Sequence, residues 1–422
     1  MVAALRIAVV AVVAASCATT PQPAADAATR ASTATTNATT SIAPPTTAST
    51  ASPPPPTGTA TAITTSTSVP LSLPAERLQA ITDAVPAALH VPGVAVAVSV
   101  GDQPPWIGAA GIEDTATGTP MRTDRRFRMA SITKLFTARV IFDMIDRGEL
   151  HLDDRLATWF PAFPNADQIT IHMLLSHTGG ITTDWWLDPD ILKLATTNLE
   201  RVWIPYEVIA ELTKRPPAGP PGGPVLYSNI DFILLGEIAA KVGAAPIGTL
   251  IEQRILQPLR LDHTTYQNDN APALAHAYNS FTGQTLDVGA LQLRSFLSMA
   301  GAAGTMQTDI TDLTKYVRAL LGTPGLVQPE IRTLMETTTP TSGRHGLASM
   351  GFCPCHESSN GRSYSGWGHT GSIPGFFSAA AYFRDSDITV VAYVNSDTRD
   401  GALLNDDALD ATIEQIINTV TR

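Results

Sequence analysis

Two rhythms of apolar and polar residues alternate along this chain, and the change of rhythm divides it into parts. Gly93 to Val100 reads Gly-Val-Ala-Val-Ala-Val-Ser-Val, an apolar run of strand length that predicts a buried strand. A second strand is expected around Trp106 to Gly111. From Ser131 to Arg147 the rhythm becomes helical: Ile132, Leu135, Phe136, Val140, Ile141, Met144 and Ile145 share a face, and Gly148 is placed to end the helix. Helical patterns fill the middle at Val208–Lys214, Phe232–Val242, Ile247–Gln257 and Ile310–Leu321, the last with Thr308 or Asp309 as N-cap. Strand runs return at Phe376–Phe383 and Asp387–Asn395. The chain closes on a helix with Leu409, Ile413, Ile416, Ile417 and Val420 on one face. A helix-like stretch from Ala75 to about His90, punctuated by Pro86, precedes the first strand. Strands at both ends around a helical middle predict an α+β fold, with one sheet drawn from both chain ends and a mostly helical subdomain at about 150–330 packed beside it. A pocket at that junction is the expected site.

The first 74 residues follow neither rhythm. Arg6, the apolar run Ile7 to Ala15 and the small residues before Cys17 read as a secretory signal, too short for a stable membrane span. Ala14-Ala15-Ser16-Cys17 resembles a bacterial lipobox, which implies lipidation of Cys17 and an anchor on the outer face of the cell membrane; ordinary cleavage near Ala18 is the alternative. Residues 18–74 are almost wholly Ala, Thr, Ser and Pro, with too little apolar surface to offset ordering entropy, and are expected to form a disordered stalk. The folded part is then 75–422. A net charge of −11 without a basic cluster argues against a nucleic-acid partner.

Candidate chemistry begins at Ser131, three residues before Lys134 and at the start of the predicted helix. Residues three apart on a helix lie on one face, and a serine hydroxyl becomes a nucleophile when a neighbouring amine takes its proton. Of five lysines in the chain, only Lys134 has a serine three positions before it. A second element, Tyr227-Ser228-Asn229, lies between the Pro/Gly loop Pro216–Pro224 and a helix; tyrosine-x-asparagine recurs at Tyr266 and Tyr393, so position favours Tyr227. A third is Gly368-His369-Thr370-Gly371-Ser372 before the C-terminal strands.

Those three motifs, in that order, resemble the penicillin-recognising serine enzymes, especially secreted D-alanyl-D-alanine carboxypeptidases and class C β-lactamases. Asp114-Thr-Ala-Thr-Gly118, the segment Ile169–Gly180, Ala300–Met306 and Tyr227–Gly236 are also similar to that family, so the resemblance spans roughly residues 75–420. It implies a β-lactamase/transpeptidase-like fold with an antiparallel sheet and a covalent acyl-enzyme. It implies catalytic roles for Ser131, Lys134 and Tyr227, and an oxyanion hole from the backbone of Ser131 and Ser372. Asn229, His369, Thr370 and Gly371 would contact substrate, with cell-wall stem peptides the expected partner.

β-Lactamase, esterase or D-aminopeptidase activity stays open on the same motifs, as does a non-catalytic surface lipoprotein. No cation stands in the segment His345–Cys355 where related carboxypeptidases place an arginine; Arg344 and Arg362 flank it. His177 is expected to make structural hydrogen bonds. Cys353-Pro354-Cys355-His356 suggests a tight disulfide, reduced thiols or half a metal site. No zinc-type histidine spacing occurs, and neither a metal nor a cofactor is called for.

Overall fold

The computed structural model describes residues 73–181, 189–266, 274–279, 285–289, 294–338, 344–352, 366–400 and 402–422. The expected signal, Cys17, the stalk, Cys353, Cys355, His356 and Arg362 lie outside them. The elements that build the fold are α1 (Ala75–Leu89), β1 (Gly93–Val100), β2 (Trp106–Asp114), β3 (Thr119–Pro120), α2 (Thr133–Asp146), α3 (Asn229–Val242), α4 (Ile310–Val317), β4 (Met350–Phe352), β5 (Gly366–Ile373), β6 (Phe376–Phe383), β7 (Ile388–Val394) and α5 (Asp410–Val420).

Seven strands form one sheet in the order β3-β2-β1-β7-β6-β5-β4, and every neighbouring pair is antiparallel. The first and last parts of the chain meet in the β1–β7 ladder, from Val94 opposite Val394 to Val100 opposite Ile388.

The unbroken apolar runs follow from helices covering both faces of the sheet. Along β1, Ala95 and Ala97 enter one core with α2, α3 and α4, while Val94, Val96 and Val98 enter the other with α1 and α5. β6 and β7 alternate in the same way: Ala380 and Val391 face the first core, Ala379 and Val390 the second. In the first core Phe136 stacks on Tyr316 at 3.7 Å, and the Tyr316 hydroxyl donates to the Leu135 carbonyl at 2.9 Å.

Three details differ from the pattern. The helix expected from Ser131 opens as a tighter turn, Ala130–Ile132, before α2 proper. The run Ile310–Leu321 is α-helical to Val317 and then widens into a π-turn at Arg318–Gly322; Asp309 caps it by accepting from the Asp312 N–H at 2.8 Å. Arg126–Arg128 pairs with Gln307–Asp309, a ladder of three-residue strands too short to show a period in sequence.

Candidate active site

Ser131 stands in the turn that opens α2, beneath the β5 strand. Two close approaches hold it there. A Cβ on Gly371 would lie 2.2 Å from the Met129 carbonyl, so β5 reaches the nucleophile turn only with glycine at that position. Ala130 takes a left-handed φ of +48°, and Gly304 packs against its backbone. The strain of a non-glycine residue in that region is sustained by the buried packing around it.

Lys134 is completely buried, and its Nζ lies 3.1 Å from Ser131 Oγ, 2.5 Å from Asn229 Oδ1 and 2.9 Å from the Ala303 carbonyl. Two of these oxygens only accept, whereas the serine hydroxyl can also donate. A neutral Lys134 amine would therefore keep its two N–H groups on Asn229 and Ala303 and turn its lone pair to the Ser131 proton.

Asn229 is the first residue of α3, and Tyr227 lies two residues before it; Lys134 Nζ sits 4.9 Å from the Tyr227 ring centre. The structure thus brings Ser131, Lys134, Tyr227 and Asn229 together across 98 residues of chain. The other two tyrosine-x-asparagine candidates fall elsewhere. Tyr393 is buried in β7 and stacks on Phe127 at 4.0 Å, while Asn395 ties Gly93 N to the Ile112 carbonyl. Tyr266 is buried enough that its hydroxyl titrates well above its usual range; Gln267 and Asn268 lie outside the described residues.

β4 pairs with β5 only from Gly366 to Gly368, so the His369–Ile373 edge has no strand partner among the described residues. That edge runs over the turn that carries Ser131. Three imidazoles surround Tyr227: the ring centres of His177, His345 and His369 lie 4.5, 5.7 and 6.3 Å from its own. All three are held neutral. Burial, and then the Lys134 charge, push His369 down to about 3. Burial drives His177 well below its usual range, and His345 is lowered by burial against an opposing pull from Asp406.

His177 Nδ1 lies 2.8 Å from Asp231 Oδ2 and 3.3 Å from the Ser228 N–H. One nitrogen cannot donate and accept at once. The shorter contact is to a group that only accepts, so Nδ1 carries the proton and donates to Asp231. This is the structural hydrogen bonding expected of His177, with contact to the Tyr227 ring in addition.

Arg344, which flanks the segment without a cation, is held by three groups. Its Nε donates to the Gly351 carbonyl at 2.9 Å, and its Nη groups hold Asp407 and Asp410 at 2.5 and 3.3 Å. Asp407, just before α5, and Asp410, its first residue, hold the guanidinium, whose charge still reaches His345 and His369. Three further contributors had no role assigned from the sequence: the Ala303 carbonyl, the His345 ring and Asp406. The small-residue run Ala300–Met306 was the available clue, because Ala302 and Ala303 present carbonyls to Thr137 and Lys134, and the Met306 N–H reaches Thr133 Oγ1. Away from the pocket, His263, Asp309 and Asp312 converge, but their contacts are those of the α4 cap, with the His263 and Asp312 N–H groups as donors.

The Beta-lactamase family profile matches residues 78–413. Penicillin-binding protein 4 of Amycolatopsis lactamdurans is 29% identical over 228 residues, 53% of this chain and 52% of that protein. A D-stereospecific amidohydrolase from Streptomyces sp. superposes with a TM-score of 0.67 at 30% identity, covering 80% of this chain and 98% of its own. The D-amino acid amidase of Ochrobactrum anthropi SV3 shares the fold, with a TM-score of 0.69 at 22% identity over 82% of this chain and 98% of its own. The chain spans about half the length of the curated relatives it matches. With a β-lactamase/transpeptidase-like fold and a profile match across nearly all of the patterned region, the chain belongs to the Beta-lactamase family.

Proposed function

We propose that the protein cleaves amide bonds after D-configured residues, cell-wall D-alanyl peptides among them, through an acyl-enzyme on Ser131. The observation that carries this reading is the placement of the Lys134 amine 3.1 Å from Ser131 Oγ, with its other two contacts on oxygens that can only accept. Lys134 takes the serine proton as Oγ bonds to the substrate carbonyl carbon. Tyr227 returns a proton to the departing amine as the C–N bond breaks. Water then attacks the ester along the same proton path, releasing the acid and restoring the serine.

Asn229 accepts from the Lys134 amine on Oδ1, and in this reading its side-chain amide donates to a substrate carbonyl. The backbone N–H groups of Ser131 and Ser372 serve the oxyanion; one such donor is typically worth about 3–4 kcal/mol in the transition state. His369, Thr370 and Gly371 line the strand edge along which an extended peptide pairs. The D-configured acyl class is supported by the Streptomyces amidohydrolase, whose alignment covers 98% of its length. A neutral His369 offers no cation to a β-lactam carboxylate and argues against β-lactamase activity. The apolar leader and Cys17 support export, and no helix among the described residues is long and apolar enough to cross a membrane.

A fluorophosphonate probe followed by peptide mass spectrometry tests the nucleophile. The adduct is expected on Ser131 and absent from Ser131→Ala. The D-isomer of an alanyl amide is expected to be cleaved about 100-fold faster than the L-isomer. Absence of any adduct, under conditions that label a relative, would remove the hydrolase reading, and equal rates for both isomers would remove the D-configured class.

A further inference from the structure

The edge of β5 beyond its pairing with β4 carries a hydroxyl whose hydrogen bond is already made. Thr370 is buried, and its Oγ1 donates to Asp406 Oδ1 at 2.8 Å. A carboxylate can only accept, so the single Thr370 proton points at Asp406 and is not available to an incoming anion. Asp406 itself is exposed.

The charges around this point are unbalanced. Asp407 and Asp410 stand beside Asp406, and the cation they share among the described residues is Arg344, which faces Asp407, Asp410 and the Gly351 carbonyl. Three carboxylates against one guanidinium leave two net negative charges at this point. On the inner side the neighbouring imidazoles, His345 and His369, are uncharged. Lys134 is buried behind Ser131 and faces Asn229 and Ala303. A ligand end lying along His369–Thr370 therefore meets a carboxylate and neutral rings.

We propose that Asp406, through its hydrogen bond to Thr370, makes this site select substrates whose end beside β5 is uncharged or cationic over those that end in a free carboxylate. The proposal rests on the reading of Ser131 as an acyl-forming nucleophile and narrows its substrates to internal peptide bonds, amides and amine-bearing ends. It predicts that terminal D-alanyl-D-alanine with a free acid is a poor substrate compared with the same dipeptide capped as an amide.

The test uses acetyl-D-alanyl-D-alanine and its C-terminal amide, which share the scissile bond and differ only in end charge. In the full chain, kcat/KM is expected to favour the amide by about tenfold, the scale of a like-charge contact at a partly exposed site. Asp406→Asn should bring that ratio to within about threefold of unity. Asp407→Asn removes the same charge from this cluster but not from Thr370, and should leave the ratio near its original value. Preference for the free acid overturns the proposal, as does a ratio that Asp406→Asn leaves unmoved or that Asp407→Asn moves equally.

The same comparison is made by protection of Ser131 from the fluorophosphonate. If Ser131 is labelled but neither peptide is cleaved, the proposed peptide hydrolysis fails, while stronger protection by the amide still supports the charge preference. Equal or absent protection by both peptides counts against it.

Discussion

The Lys134 amine can accept a proton only when it is neutral, and its surroundings decide when that occurs. Asn229 Oδ1 is an uncharged acceptor beside it; Asn229→Asp would put a carboxylate there and favour the ammonium form. The expected result is an acid limb of the kcat/KM profile moved upward by about one pH unit, with activity at pH 7 lowered roughly tenfold or more. A pH–rate profile of the variant checks this; an unmoved limb would mean that Lys134 is not the group whose deprotonation controls acylation. Much of this local arrangement was legible beforehand. Ser131 and Lys134 are neighbours by helical spacing, and Tyr227 and Asn229 are neighbours by a spacing of two at a helix entry. The Ala303 carbonyl and Asp406 were not legible. Each meets its partner from a distant part of the chain, and a backbone oxygen has no residue type to announce it.

At the scale of elements, the site depends on how closely helices and turns approach. Inside α3, Gly236 faces the turn Gly301–Ala303; a Cβ there would lie 2.4 Å from the Ala302 Cβ. Alanine is the better helix former by about 1 kcal/mol, so the helix itself would tolerate Gly236→Ala. The turn would not, because it must shift and take the Ala303 carbonyl off Lys134. We expect kcat to fall about tenfold or more with far-UV circular dichroism unchanged, whereas a variant of full activity would show that the turn does not position the amine. The long elements were legible because runs of seven residues or more carry a clear pattern: β1, β6, β7, α2 and α5 were all expected near their observed bounds. The Arg126–Arg128 and Gln307–Asp309 strands were not, since three residues define no period and their pairing is set by tertiary packing.

For the whole molecule, the neutral imidazoles of the pocket tie stability to pH. His369 titrates at about 3 when folded and near 6.5 when free, so below pH 6.5 the unfolded chain binds a proton that the folded chain refuses. Its stabilising contribution is complete above 6.5 and is lost as pH falls toward 3, about 2 kcal/mol of it by pH 5. Asp397 acts in the opposite sense: burial raises its carboxyl from 3.8 to about 7, so the stability it contributes is lost as pH rises across that range. Denaturant unfolding of His369→Gln at pH 7 and pH 5 isolates the first effect. The variant should lose about 2 kcal/mol less than the parent between those values, and an equal loss would place the ring in water. The sheet has a different consequence, one of timing. β1 is made early in synthesis, yet its β7 partner lies about 300 residues later, and until that strand arrives the Val94–Val100 edge has no neighbour on that side. A chain cut short before Ile388 would carry Ser131 and an apolar strand edge open to other copies, so translation errors near the C-terminus make this protein a seed for aggregation.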